Sequence, residues 1–150
     1  MQSNSYGLIS LFLVFMAVAT ALGSVLPRSP MMAGMYLIVA VLSFVLILVS
    51  YCTKCPCRNS ECCFVLPGQL TRFLPKRKEG PYSFFDIFFT LIGIVAVVLM
   101  PQLWLIMNIP SLILFWLFIV VAGFMIVFLV CPDCPNKNCL LCGSRPKAVK

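Results

Sequence analysis

Four stretches of this chain run for about 20 residues each, the length an α-helix needs to cross a hydrocarbon layer about 30 Å thick. They are Leu8 to Leu26, Met31 to Tyr51, Phe84 to Met100 and Ile109 to Val130, and Asp86 is the only charged residue in them. In a soluble protein a surface helix shows a polar face to water. None of the four offers one. The chain is 62% hydrophobic and 10% charged, against about 45–50% and about 25% for an average soluble domain. The expected fold is therefore an all-α integral membrane protein with four transmembrane helices.

The cations give an orientation. Ten of the eleven Lys and Arg residues lie between the second and third stretches or after the fourth, and only Arg28 lies on the other side. By the positive-inside rule the segments 52–83 and 131–150 are expected in the cytoplasm, together with both termini, in a plasma membrane or a bacterial inner membrane. The net charge of +7 thus speaks of topology, and no nucleic acid is expected as a partner. Ala21-Leu22-Gly23 is a passable signal-peptidase pattern, but Met1 to Tyr6 holds no Lys or Arg, so the first stretch is read as a retained helix. Cleavage would leave the facing of the later segments unchanged.

The chain divides into two similar halves. Residues 1–63 form a hairpin turning through Pro27-Arg28-Ser29-Pro30 and ending in a cysteine cluster; residues 84–150 form a second, turning between Pro101 and Pro110 and ending in a cysteine-rich tail. Proline at each border stops helix propagation. Cys52-Thr53-Lys54-Cys55-Pro56 follows the second stretch and Cys131-Pro132-Asp133-Cys134-Pro135 follows the fourth, both reading C-x-x-C-P and set 79 residues apart. This pattern is that of a tandem 2+2 duplication. Between the halves, residues 64–83 place Leu70, Phe73 and Leu74 directly before Lys76-Arg77-Lys78, a composition suited to the headgroup layer, where clustered cations attract anionic lipid. Tyr82 fits an interfacial anchor. Asp86, close to the cytoplasmic end of its helix, is expected to reach water or a loop cation rather than to relay protons.

All nine cysteines fall outside the four stretches, where packing does not explain them. Cys52, Cys55, Cys57, Cys62 and Cys63 make one cluster, and Cys131, Cys134, Cys139 and Cys142 make the other. The reducing compartment implied by the charge pattern argues against structural disulfides. Thioredoxin-like chemistry places its reactive cysteine at a helix N-terminus, whereas Cys52 and Cys131 follow helix C-termini, whose partial negative charge disfavours a bare thiolate. A bound cation remedies this. Two C-x-x-C pairs complete the four-thiolate shell of structural zinc or of an iron–sulfur centre. The tail resembles a zinc knuckle in its C-x2-C-x4 opening, with cysteine in place of histidine and a shorter last spacing. Either each cluster closes its own site, or Cys52, Cys55, Cys131 and Cys134 share one ion. Lys54, Arg58 and Lys137 stand near enough in sequence to offset the thiolate charge. S-palmitoylation of juxtamembrane cysteines such as Cys52, Cys62, Cys63 and Cys131 is the competing explanation.

The chain has no histidine, which removes the usual general base and the imidazole metal sites. No phosphate-binding glycine loop occurs. Polar residues within the stretches are chiefly Thr20, Ser24, Ser43 and Thr90, too few for a solute path. The reading is an accessory or scaffold subunit of a membrane complex rather than an enzyme, with membrane lipids and either other subunits or further copies of itself as partners and zinc or an iron–sulfur cluster as cofactor. An electron-transfer subunit and a thiol oxidoreductase are the alternatives.

Overall fold

A computed structural model describes residues 2–50, 52–54 and 82–131. Among them the chain is helical, without strands: α1 (Gln2–Val25), α2 (Pro30–Ser50), α3 (Phe84–Leu99), the single turn α4 (Gln102–Leu105) and α5 (Ile109–Met125). A tight 3₁₀ turn, Cys52–Lys54, continues α2. A π-helical turn, Ile126–Val130, continues α5, and at its start the Ile126 N–H is shared between the Ala122 and Gly123 carbonyls. Four helical stretches are long and apolar enough to cross a membrane: Ser5–Val25, Pro30–Lys54, Phe84–Leu105 and Ile109–Val130. The expected stretches recur, with the first beginning three residues earlier at Ser5, the second running three residues further to Lys54, and α4 extending the third from Met100 to Leu105.

The helices pair across the two halves. α1 lies mainly against α5 and α2 mainly against α3, while contact within the first hairpin is slight. The hairpins are therefore units of connectivity, and each buries its apolar surface against the other. The sequence of α1 explains its side of this. Gly7, Ser10, Ala17, Ala21 and Ser24 are buried and recur at spacings built from steps of three and four, a narrow seam of small residues that lets two backbones approach closely in lipid. Ala17 and Ala21 pack with Phe115, Leu105 and Tyr36.

The two turns meet at one end of the bundle. Arg28, in the α1–α2 turn, donates from its guanidinium to the Trp104 carbonyl at 2.9 Å and to the Met107 carbonyl at 3.4 Å. Both acceptors belong to the C-terminal end of α4 and the turn after it, where a cation also suits the helix dipole. With the turns together, the C-termini of α2 and α5 both emerge at the opposite end, and with them Cys52 and Cys131.

A buried polar contact repairs the break between α3 and α4. Pro101 has no N–H, so the carbonyl four residues before it, that of Val97, loses its helical partner. Tyr36 of α2, itself buried, donates its hydroxyl to that carbonyl at 3.2 Å. Gln102 donates its side-chain amide to the Val98 carbonyl at 2.7 Å, and its amide oxygen accepts from the Trp116 indole at 3.3 Å. In lipid an unsatisfied backbone carbonyl has no water to turn to. Tyr36→Phe is expected to lower bundle stability by about 1 kcal/mol. Pro101→Ala restores an N–H to bond Val97, so the same Tyr36→Phe change should cost clearly less in that background. A double-mutant cycle of SDS-unfolding midpoints in bicelles checks this, and additive effects would refute it.

Most of the helical surface faces outward. Between 17 and 28% of the most apolar window of each spanning stretch is buried in the bundle. Phe84 and Met31 are each 75% exposed and Phe15 68%, side chains that require lipid or another protein around them.

Candidate functional site at the cysteine end

Among the described residues, the end of the bundle opposite the turns holds Cys52, Lys54, Asp86 and Cys131. α2 runs into the Cys52–Lys54 turn, which is held at two points. Thr53 is buried and its hydroxyl donates back to the Val49 carbonyl at 2.6 Å. Lys54 reaches across to α3, where its ammonium donates to the Asp86 carboxylate. Little of this pair is open to solvent: the Lys54 side chain is 13% exposed and that of Asp86 5%.

Asp86 is itself fixed by the way α3 begins. Ser83 is extended (φ −70°, ψ 156°) and stands at the N-cap position. The Asp86 carboxylate accepts from the Ser83 backbone N–H at 3.0 Å, the reciprocal half of a capping box, which satisfies a donor that a helix start leaves open. A carboxylate in the first turn also suits the positive end of the helix. One turn on, the Thr90 hydroxyl donates to the Asp86 carbonyl at 2.8 Å. The acid is thus a boundary group paired with a cation, and its buried position is compensated on two sides. Lys54, which stands between two cysteines in the sequence, pairs its ammonium with Asp86, the loop cation expected for this acid. The four-residue helical spacing from Asp86 to Thr90 and the Ser83-x-x-Asp86 pattern were both visible in the sequence, but nothing in it paired Asp86 with one cation among many.

Of the nine candidate ligands, Cys52 and Cys131 are described. Cys52 is a half-buried thiol. Cys131 is 4% exposed and is disulfide-bonded. This departs from the expectation of reduced thiols throughout. Burial of Cys131 weighs against acylation of that sulfur. Cys55, Cys57, Cys62, Cys63, Cys134, Cys139 and Cys142 lie outside the described residues, as do Lys76, Arg77 and Lys78. No group of three or more Cys, Asp or Glu forms a metal-binding cluster among the described residues.

The hydroxyls of α1 are used locally. Ser10, Thr20 and Ser24 donate to the carbonyls of Gly7, Met16 and Thr20 at 2.9, 2.8 and 3.1 Å, each within its own helix. They form no line of groups across the bundle. Sequence reading missed Tyr36 and Gln102, although the signal existed: Pro101 announces a carbonyl without its N–H partner, and such a carbonyl in an apolar span calls for a donor.

Comparison of the chain with protein-family models, with curated proteins and with solved structures finds no match.

Proposed function

We propose that this chain is an accessory or scaffold subunit of a membrane complex, with cysteine-ligated zinc or iron–sulfur sites at the cytoplasmic face. The supporting observation is the meeting of the Arg28 turn with the carbonyls of Trp104 and Met107. It sends the two helix ends that carry C-x-x-C-P out of the bundle on one side. The strongly exposed apolar exterior supports a partner, and the Ser10, Thr20 and Ser24 hydroxyls, spent on carbonyls of their own helix, argue against a solute path. The clusters Cys52, Cys55, Cys57, Cys62, Cys63 and Cys131, Cys134, Cys139, Cys142 are the proposed ligands, each binding as thiolate in the reduced protein, after reduction of the Cys131 disulfide. The positive-inside rule supplies the cytoplasmic assignment, and Lys76, Arg77 and Lys78 would hold anionic headgroups beside it.

A second reading has an observation of its own. The disulfide at Cys131 favours a thiol oxidoreductase, in which a C-x-x-C pair exchanges with a partner's dithiol. Elemental analysis of the full chain, purified anaerobically with a thiol reductant, separates these. The scaffold reading expects zinc or iron in stoichiometric amount and an assembly larger than the monomer. Iron, with visible absorbance that bleaches on reduction, would identify electron transfer. A metal-free monomer would overturn the scaffold, and a trapped mixed disulfide at Cys134 would then establish the oxidoreductase.

A further inference from the structure

We infer that the bundle is a hinge: α1 with α5 and α2 with α3 are two rigid pairs that tilt against each other about the turn end, and the tilt sets the separation of the helix ends that carry Cys52 and Cys131. The inference does not depend on what those sulfurs bind. Connectivity makes the motion possible. The chain passes from one pair to the other twice, at residues 26–29 and at residues 100–108. Both crossings lie at the turn end, where Arg28 clips the first to the second through the Trp104 and Met107 carbonyls. The chain between α2 and α3 begins and ends on the same pair. The second crossing also contains Pro101, whose missing N–H leaves a break in the helical bonding at which the chain can bend.

Packing divides the molecule along the same line. In the first pair, the seam of Gly7, Ser10, Ala17, Ala21 and Ser24 runs nearly the length of α1. In the second, the Tyr36 bond to Val97, the approach of Gly93 to Ser43 and the Lys54–Asp86 ion pair are spread from one end of the interface to the other. Between the pairs, the turn end carries the Arg28 contacts, the Trp116 bond to Gln102, and the cluster in which Tyr36 and Leu105 meet Ala17, Ala21 and Phe115. Backbone contact from pair to pair is slight beside the contact within each. Bodies that keep their internal packing and share a few element-terminal residues move by hinge rotation. The helices are long levers: α2 has 21 residues, about 30 Å of rise, so a tilt of about 10° at the turn end displaces its far end by about 5 Å.

The test is pulsed EPR distance measurement on the full chain in lipid nanodiscs, with nitroxides attached to p-acetylphenylalanine so that the native cysteines stay in place. The labels go to exposed positions: Leu8, Val45, Phe85 and Phe124 toward the cysteine end, Leu26 and Leu99 at the turn end. Within the pairs, Leu8 to Phe124 and Val45 to Phe85 are expected to give narrow distributions. Across the pairs, Leu8 to Phe85 and Val45 to Phe124 should be broader, and Arg28→Ala, which removes the clip, should widen them by about 5 Å more. Leu26 to Leu99 crosses the pairs at the fulcrum and should stay narrow in both proteins. Distances across the cysteine end that are as narrow as those within the pairs, both before and after reduction of the Cys131 disulfide, would overturn the hinge. Distances that Arg28→Ala leaves unmoved would overturn the part given to Arg28. Equal broadening within the pairs, or at Leu26 to Leu99, reports general loosening or wholesale separation and overturns the hinge as well.

Discussion

Asp86→Ala is expected to destabilise the bundle by about 3–5 kcal/mol, the cost of leaving one partner of a buried ion pair without the other. The change strands the Lys54 ammonium in a place where its side chain is 13% exposed, and it removes the acceptor of the Ser83 N–H at the start of α3. Loss of the helix cap alone accounts for about 1 kcal/mol. The larger part comes from the unpaired charge, which must be dragged toward water at the expense of the Cys52–Lys54 turn. The double variant Lys54→Met/Asp86→Leu should recover most of the loss, because two apolar side chains of similar size need no compensation. SDS-unfolding midpoints of the full chain in bicelles measure both. A single variant within about 1 kcal/mol of wild type would show that the pair is hydrated and weak.

Why this pair escaped the sequence while the helices did not is a matter of range. An apolar run of some 20 residues can satisfy its backbone in lipid by hydrogen bonds within itself. Each spanning helix was therefore legible from residues that are neighbours in the chain, down to Pro30 at the start of α2 and Pro110 in the first turn of α5. The Lys54–Asp86 pair joins residues 32 apart, and the Arg28 contacts join residues 76 and 79 apart. Their partners are fixed by which helix lies against which. That choice depends on small residues such as Ala17 and Ala21, whose value is in being small, and composition alone does not say which of several small faces will be used. The π-helical turn before Cys131 belongs to the same class, since no proline or glycine lies within Ile126–Val130 to announce it.

The closest of these backbone approaches gives the second large effect. A Cβ added at Gly93 of α3 would stand 3.4 Å from the Ser43 Cβ, 3.5 Å from its carbonyl oxygen and 3.6 Å from its Cα. Two of those neighbours are backbone, which does not swing aside as a side chain does. A methyl group just fits at such distances, so Gly93→Ala should change stability little. Gly93→Leu must push α2 and α3 apart and is expected to cost about 3 kcal/mol. Leucine at Gly23 or Gly34 is the control, because an added Cβ there meets nothing within 4 Å; either should unfold at the wild-type SDS concentration. The same two helices carry the Lys54–Asp86 pair at their ends, so the two sites report on one interface. Once Gly93→Leu has separated α2 from α3, the ammonium and the carboxylate no longer meet, and Asp86→Ala has little left to remove. The combined variant should therefore lose less than the sum of the two single losses, by 1 kcal/mol or so, although sites this far apart normally add. Strict additivity would mean that the ion pair holds the Cys52–Lys54 turn to the start of α3 independently of how the helices pack.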